Sequence, residues 1–169
     1  MPDLRIRPVY AAEDIAPLSV LAADIWREHF PSILPSGQTE YMIEKFQSAE
    51  AIQRQITEQK YKYFQMELDH QPVGYFAIKP DGDRLFLSKL YVQKSARGKR
   101  ISSAALDFMK DFCKKNGFSA IWLTVNRHND GSIAVYRHFG FRVIDEQVTD
   151  IGGGYVMDDY FMELSVGEL

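Results

Sequence analysis

At 169 residues the chain is the size of one domain, and its 46% hydrophobic and 13% aromatic content excludes a disordered chain. The single cysteine, Cys113, excludes an internal disulfide framework and a cysteine-cluster zinc site, and the four histidines (His29, His70, His128, His138) lack the spacing of a metal motif. Net charge is −3, from 20 basic and 23 acidic residues, which does not describe a global nucleic-acid binder. The opening Met1-Pro2-Asp3-Leu4-Arg5 has no apolar secretory stretch, and no run approaches the roughly 18 apolar residues of a membrane span. The expectation is a cytoplasmic protein with no membrane or nucleic-acid partner and no metal.

Taken in chain order, Leu4 to Val9 alternates and reads as a strand that stops near Pro8. Glu13 to Phe30 is helical, with Leu18, Leu21, Ala22, Ile25 and Trp26 on one stripe. A loop over 31–37 precedes two shorter helices, Thr39 to Gln47 and Ala49 to Gln59. Tyr61 to Leu68 and Val73 to Ile78 flank the turn signal Asp69-His70-Gln71-Pro72. Pro80-Asp81-Gly82-Asp83 turns into a further strand, Arg84 to Val92, completing an antiparallel meander. The period then changes: Ile101, Ala105, Phe108, Met109, Phe112 and Cys113 form one helical stripe, with Lys114 and Lys115 in the last turn and Gly117 at its end. Ala120 to Val125 is a strand, Asp130 to Phe139 a short helix, and Phe141 to Thr149 and Tyr155 to Leu164 two closing strands around Gly152-Gly153-Gly154. The order predicts an α/β (α+β) fold: a mixed, mostly antiparallel sheet of about seven strands with helices on both faces, spanning 1–169 as one domain.

Charge is concentrated. Residues 89–100 hold five basic residues and no acid, while the rest of the chain holds fifteen basic and twenty-three acidic residues. In that segment a strand ends at Val92, a basic turn follows with Gly98, and a helix opens at Ile101. A helix N-terminus presents unbonded N–H groups and about half a positive charge, so it accepts phosphate. Ser102 and Ser103 add hydroxyl donors, and Arg97, Lys99 and Arg100 supply countercharge. The segment has neither P-loop nor dinucleotide-fold spacing. A second segment, Leu123 to Phe141, offers Asn129 or Asp130 as a helix cap and Tyr136 one residue off the Ile133–Phe139 apolar row. A tyrosine at such an edge is a candidate proton donor to a thiolate or alkoxide leaving group. Cys113, on an apolar stripe, reads as core.

Together these two segments resemble the GNAT superfamily of acetyl-CoA-dependent N-acetyltransferases. The family's pyrophosphate loop, Q/R-x-x-G-x-G/A, compares with Arg97-Gly98-Lys99-Arg100-Ile101-Ser102, where Arg100 and Ser102 replace the small residues. The replacement of glycine by Arg100 is expected to be tolerated in a helical conformation. The pattern N-x-x-[AS]-I-x-x-Y-x-x-x-G-F is met by Asn129, Ser132, Ile133, Tyr136, Gly140 and Phe141. The resemblance implies a sheet splayed at strands four and five, with the acyl-pantetheine of acetyl-CoA between them. It further implies that backbone groups of Leu90 and Val92 pair with the pantetheine. The amides of Arg97, Gly98, Lys99, Arg100, Ile101, Ser102 and Ser103 would then bind pyrophosphate, with Asn129 touching the coenzyme and Tyr136 as general acid. Asp24-Ile25-Trp26-Arg27-Glu28-His29-Phe30 and the stretch Asp150 to Tyr160 are similar to the bacterial spermidine/spermine acetyltransferase branch.

The implied function is direct acetyl transfer from acetyl-CoA to a primary amine, a polyamine or another small cationic amine being favoured by the acidic remainder of the chain. The alternatives are a non-catalytic acyl-CoA sensor and a protein lysine or N-terminal acetyltransferase. An attacking amine must be neutral, although a free alkylamine has a pKa near ~10.4, so a base is needed. Glu28, His29 and Glu44 flank the loop over the expected acceptor site and are its candidate residues. Asp158 and Asp159 alternate on the last strand, so they should face opposite sides. Exposed strand edges and the apolar last strand would suit a homodimer.

Overall fold

The computed structural model describes residues 3–166. Seven strands form one mixed sheet in the order β1-β2-β3-β4-β5-β7-β6: β1 Leu4–Val9, β2 Lys62–Leu68, β3 Gln71–Asp81, β4 Arg84–Val92, β5 Ala120–Asn126, β6 Arg142–Gly152 and β7 Tyr155–Ser165. The helices are α1 Ala12–His29, α2 Gln38–Gln47, α3 Ala49–Glu58, α4 Ile101–Asn116 and α5 Asp130–His138. Two compact units divide the chain, with boundaries at Lys79/Pro80, Ser88/Lys89 and Phe108/Met109.

The first unit holds β1, β2, most of β3, the end of β4, α1 to α3 and the first half of α4. Its sheet is buried on both faces because its strands are apolar at consecutive positions. On one face Tyr63 and Tyr75 meet Gln47 of α2, while Tyr75 accepts from the Trp26 indole of α1 at 2.8 Å. On the other, Phe64 and Phe76 stack at 4.9 Å, and both meet the edge of Phe108 of α4. The β2–β3 hairpin turns on two residues, Asp69 and His70, both with positive φ (51° and 70°), as a two-residue turn between twisted strands requires. β1 runs through Pro8, opposite Phe64, to Val9. It is an edge strand, so an imino nitrogen facing outward costs no ladder bond. β3 likewise extends past the predicted Val73–Ile78. Pro72 falls at the register shift opposite Met66/Glu67, where a missing N–H is tolerated.

The second unit holds the start of β4, β5, β6, β7, the end of α4 and α5. β4 and β5 pair in parallel over four residues, from Arg84↔Ala120 to Leu87↔Leu123, and β4 runs on for five residues beyond that ladder. Phe86, Trp122 and Phe161 stack across three strands at 4.3 and 5.8 Å. Arg84 lies over Trp122 and bonds Glu163 at 3.0 Å. The opposite face buries Ile121, Leu123, Val125 and Met162. Cys113 is buried, and burial pushes its thiol up to about 11, which fits packing rather than nucleophilic attack. β6 is exposed along nearly its whole length.

One close approach controls where β4 ends. A Cβ on Gly74 of β3 would lie 2.5 Å from the Tyr91 carbonyl oxygen and 3.1 Å from the Val92 Cα, both backbone atoms. The Gln93 N–H then donates to the Val73 carbonyl at 2.7 Å. Gly74→Ala is therefore expected to cost about 1–3 kcal/mol through overpacking and to displace the end of β4. Denaturant unfolding checks the first effect, and the second should appear as weakened binding at the loop that β4 leads into.

Candidate active site

Past β4 the chain makes a short 3-10 turn, Lys94–Ala96, anchored by buried Ala96. Arg97 is extended, and Gly98 takes φ 82° in open space. Arg100 takes φ 59°. This corrects the expectation that the position is helical: it is left-handed, the conformation that glycine adopts freely and an arginine adopts at a cost of roughly 1–2 kcal/mol. The Arg100 carbonyl accepts the first bond of α4, from Ala104 at 3.1 Å. The amides of Ile101, Ser102 and Ser103 precede that bond and point out of the helix end. Ile101 is buried and pins the helix start, while Arg97, Gly98, Lys99 and Arg100 are exposed. Among the described residues none of the Lys94, Arg97, Lys99 and Arg100 side chains pairs with a carboxylate. The loop is thus a cationic rim around a helix N-terminus, suited to an anion of several charges. Leu90 is partly buried and Val92 buried on the strand leading to it.

The end of α1 is tied to this loop. The Glu28 carboxylate accepts from the Lys94 N–H at 3.3 Å, and His29 Nδ1 lies 3.5 Å from Arg97 Nη2. Trp26, Phe30 and Tyr91 pack edge to face between 5.3 and 5.7 Å, with the His29 ring against Phe30 and Tyr91. Two of the three proposed acceptor residues, Glu28 and His29, are therefore brought together with the loop. Glu44 sits exposed on α2.

Lys89 stands apart from the basic run in which it occurs. Its amine lies 3.5 Å from Gln55 Oε1 and over the Tyr61 and Tyr63 rings at 5.2 and 5.6 Å. Burial pushes its pKa down to about 7. From there a chain of buried polar groups runs inward: Gln55 accepts from the Tyr63 hydroxyl, Gln47 donates to Tyr63 at 3.2 Å, and Tyr75 donates to Gln47 at 2.6 Å. No sequence signal marks this network, because glutamines at helix positions look solvent-facing until the fold covers them.

In the second unit, Asn129 is buried and its side chain accepts from the Ser132 N–H at 3.3 Å, capping α5. Tyr136 is partly buried, with its ring edge-on to Phe141 at 5.5 Å. Among the described residues its hydroxyl has no hydrogen-bond partner. Burial raises its pKa above the ordinary tyrosine value, so the hydroxyl holds its proton throughout the neutral range. Asp158 and Asp159 face opposite sides of β7, as alternation predicts: Asp158 holds Arg127 at 2.8 Å, and Asp159 is buried.

The profile of the acetyltransferase (GNAT) family matches residues 22–141. The chain belongs to that family. It is 33% identical over 79 residues to the Xenopus laevis protein named "Probable N-acetyltransferase camello", covering 45% of this chain and 36% of that protein. The chain thus spans about a third of the length of this curated relative. Its fold is similar to that of PaiA N-acetyltransferase from Thermoplasma acidophilum, solved with coenzyme A, with a TM-score of 0.81 and 23% identity over 96% of this chain and 99% of that one. It is also similar to the ribosomal-protein-S18-alanine N-acetyltransferase of Escherichia coli, with a TM-score of 0.70 and 18% identity over 99% and 96%. Among the described residues no group of three His, Cys, Asp or Glu side chains is placed to hold a metal, and no helix is long and apolar enough to cross a membrane.

The left-handed Arg100 gives a direct test. Arg100→Gly is expected to raise stability by up to about 1 kcal/mol, whereas the β-branched Arg100→Val should lower it. Thermal denaturation without ligand reads both.

Proposed function

We propose that the protein, working as one acetyltransferase domain over 1–169, moves the acetyl group of acetyl-CoA directly to a primary amine. The observation that carries this reading is the exposed cationic loop, Arg97 to Arg100, leading into the opened N-terminus of α4 at Ile101 to Ser103, in a chain of the GNAT family. The coenzyme's phosphates would take the amides of Arg97, Gly98, Lys99, Arg100, Ile101, Ser102 and Ser103, and its pantetheine the backbone of Leu90 and Val92. Asn129 would touch the coenzyme from the N-terminus of α5.

The reaction needs three services. The acceptor must lose a proton before its nitrogen attacks the thioester carbon. The oxyanion that forms needs a donor, for which the Val92 N–H is the candidate. The departing coenzyme thiolate needs a proton, and Tyr136, protonated and with no hydrogen-bond partner for its hydroxyl among the described residues, is suited to give it. No covalent enzyme intermediate is required. The acceptor class that fits is a small cationic amine, polyamines included. Outside residues 89–100 acidic residues outnumber basic ones by twenty-three to fifteen, which attracts such a molecule. The single, buried cysteine fits a reducing compartment such as the cytoplasm.

Thiol release from acetyl-CoA, measured with spermidine, spermine, a diamine, an amino acid and a lysine peptide, tests the reading. Release with one class names the acceptor, and absence of acetyl-CoA binding would overturn the proposal. Tyr136→Phe is expected to lower kcat by about 10²-fold or more with coenzyme affinity unchanged. Equal turnover would remove Tyr136 from the acid role.

A further inference from the structure

Asp159 is 6% exposed, with its carboxylate oxygens still reaching solvent, and among the described residues it has neither a side-chain hydrogen bond nor an ion pair. Aspartate is seldom buried without a partner, because leaving water costs a carboxylate far more than its neighbours return. The side chain stands on β7, in register with Asn126 of β5 on one side and Gln147 of β6 on the other. Both flanking residues are neutral amides.

The arginines on β4 and just past β5 are committed elsewhere, and the backbone N–H of His128 donates to the Asn126 side chain at 2.9 Å. Arg127 serves Asp158 on the opposite face at 2.8 Å, reaches Glu146 at 3.2 Å, and lies over the Tyr160 ring at 5.0 Å. Arg84, on the face that Asp159 shares, bonds Glu163 at 3.0 Å and lies 3.7 Å from Asp81. Asp145, in register with Phe161 on β6, is exposed and adds only negative charge. Burial first, and the charge of Asp158 second, push the Asp159 carboxyl up to about 6. At neutral pH it is still an anion, and among the described residues no cation is ion-paired with it. A compact cation that brings its own N–H donors would complete it.

The position along the sheet agrees. Asn126 is the last residue of β5 and lies three residues past Leu123, where the parallel ladder with β4 ends. We propose that Asp159 receives the ammonium group of the acceptor and takes its proton. This rests on the acetyl-transfer reading and deepens it by naming the acceptor as an alkylammonium. In the step, R–NH3+ gives one proton to the Asp159 carboxylate. The freed lone pair forms the C–N bond at the thioester carbon, and the adduct collapses with loss of the C–S bond. The nitrogen sheds its second proton, the coenzyme sulfur gains one, and Asp159 returns its proton to solvent. The net products are the N-acetylamine, free coenzyme thiol and one proton.

The test compares wild type with Asp159→Asn and Asp159→Glu. Two titrations, by calorimetry with acetyl-CoA and separately with spermidine, accompany thiol-release kinetics from pH 5 to 9. The asparagine variant is expected to lose at least 10²-fold in kcat/KM for the amine and to lose measurable spermidine binding. Its acetyl-CoA affinity should stay within twofold, and glutamate should restore part of both losses. The wild-type acid limb near pH 6 should be absent from the asparagine variant.

The same unpaired charge predicts a stability signature. The folded pKa lies above the unfolded one, so the anion destabilises the fold above about pH 6 and costs nothing below the unfolded value. Asp159→Asn should therefore raise Tm at pH 8, and the gain should vanish near pH 4. Unchanged amine kinetics with the acid limb intact would overturn the proposal, as would loss of acetyl-CoA affinity in step with amine activity. If wild type binds spermidine through Asp159 but releases no thiol with any amine, the cation site stands and the transfer reading falls. If wild type binds no amine at all, both fall.

Discussion

The approach of Gly74 to the backbone of Tyr91 and Val92 is the constraint on which the rest of the first unit's site depends. No side chain fits between β3 and the end of β4, so the two backbones close together and the Gln93 N–H reaches the Val73 carbonyl. That bond fixes where the strand stops and the 3-10 turn begins. The turn in turn sets Gly98 and Arg100 in left-handed conformations, which swing the chain into α4 with its first amides exposed. A displacement of a few tenths of an ångström at Gly74 would move the end of β4 and the start of the 3-10 turn with it, because the close-packed backbones on either side leave no room to absorb it.

Around this strand the fold spends polar groups where apolar ones would be simpler. Gln47, Gln55, Tyr63 and Tyr75 are buried and joined into one hydrogen-bonded chain, with the Trp26 indole at one end and the Lys89 amine at the other. A network of that kind is stable only when each member is satisfied, and it then admits one arrangement where an apolar core would admit several. Its consequence is geometric: α1, α2 and α3 are locked in register on β2 and β3. The C-terminal end of α1 therefore delivers Glu28 and His29 to the loop at fixed distances.

Element order, strand alternation and the three hairpin turns were legible because each rests on local chemistry: periodic burial, turn residues and helix caps. The boundaries that moved did so through pairing. Pro8 and Pro72 lie inside strands because one is on an edge and the other at a register shift, and neither condition is visible until the partner strand is known. The basic loop was legible as a unit, but the conformation of Arg100 was not, since a left-handed arginine carries no sequence signature. Lys89 shows the same limit in electrostatics. Read along the chain it belongs to the cationic run, yet its surroundings are two tyrosine rings and a glutamine. For Asp158 and Asp159, alternation gave opposite faces; which one kept a cation depended on Arg127, thirty-one residues away.

That last distinction bears on how an acidic chain handles a cationic molecule. Surface carboxylates are solvated and screened, so they concentrate cations without holding any of them in a fixed place. A buried carboxylate is the reverse: it contributes little to the distant field, but its attraction acts through a poor dielectric and over a short, defined path. Such a group destabilises the empty fold, and burial of a charge without its partner is seldom retained where packing alone is at stake. Asp158 shows the ordinary solution, a carboxylate closed by an arginine at 2.8 Å. Asp159, its neighbour on the other face of the same strand, is left open between two amides that exert no charge on it. The difference between them is one of commitment: one carboxylate holds the fold together, and the other is available to a ligand.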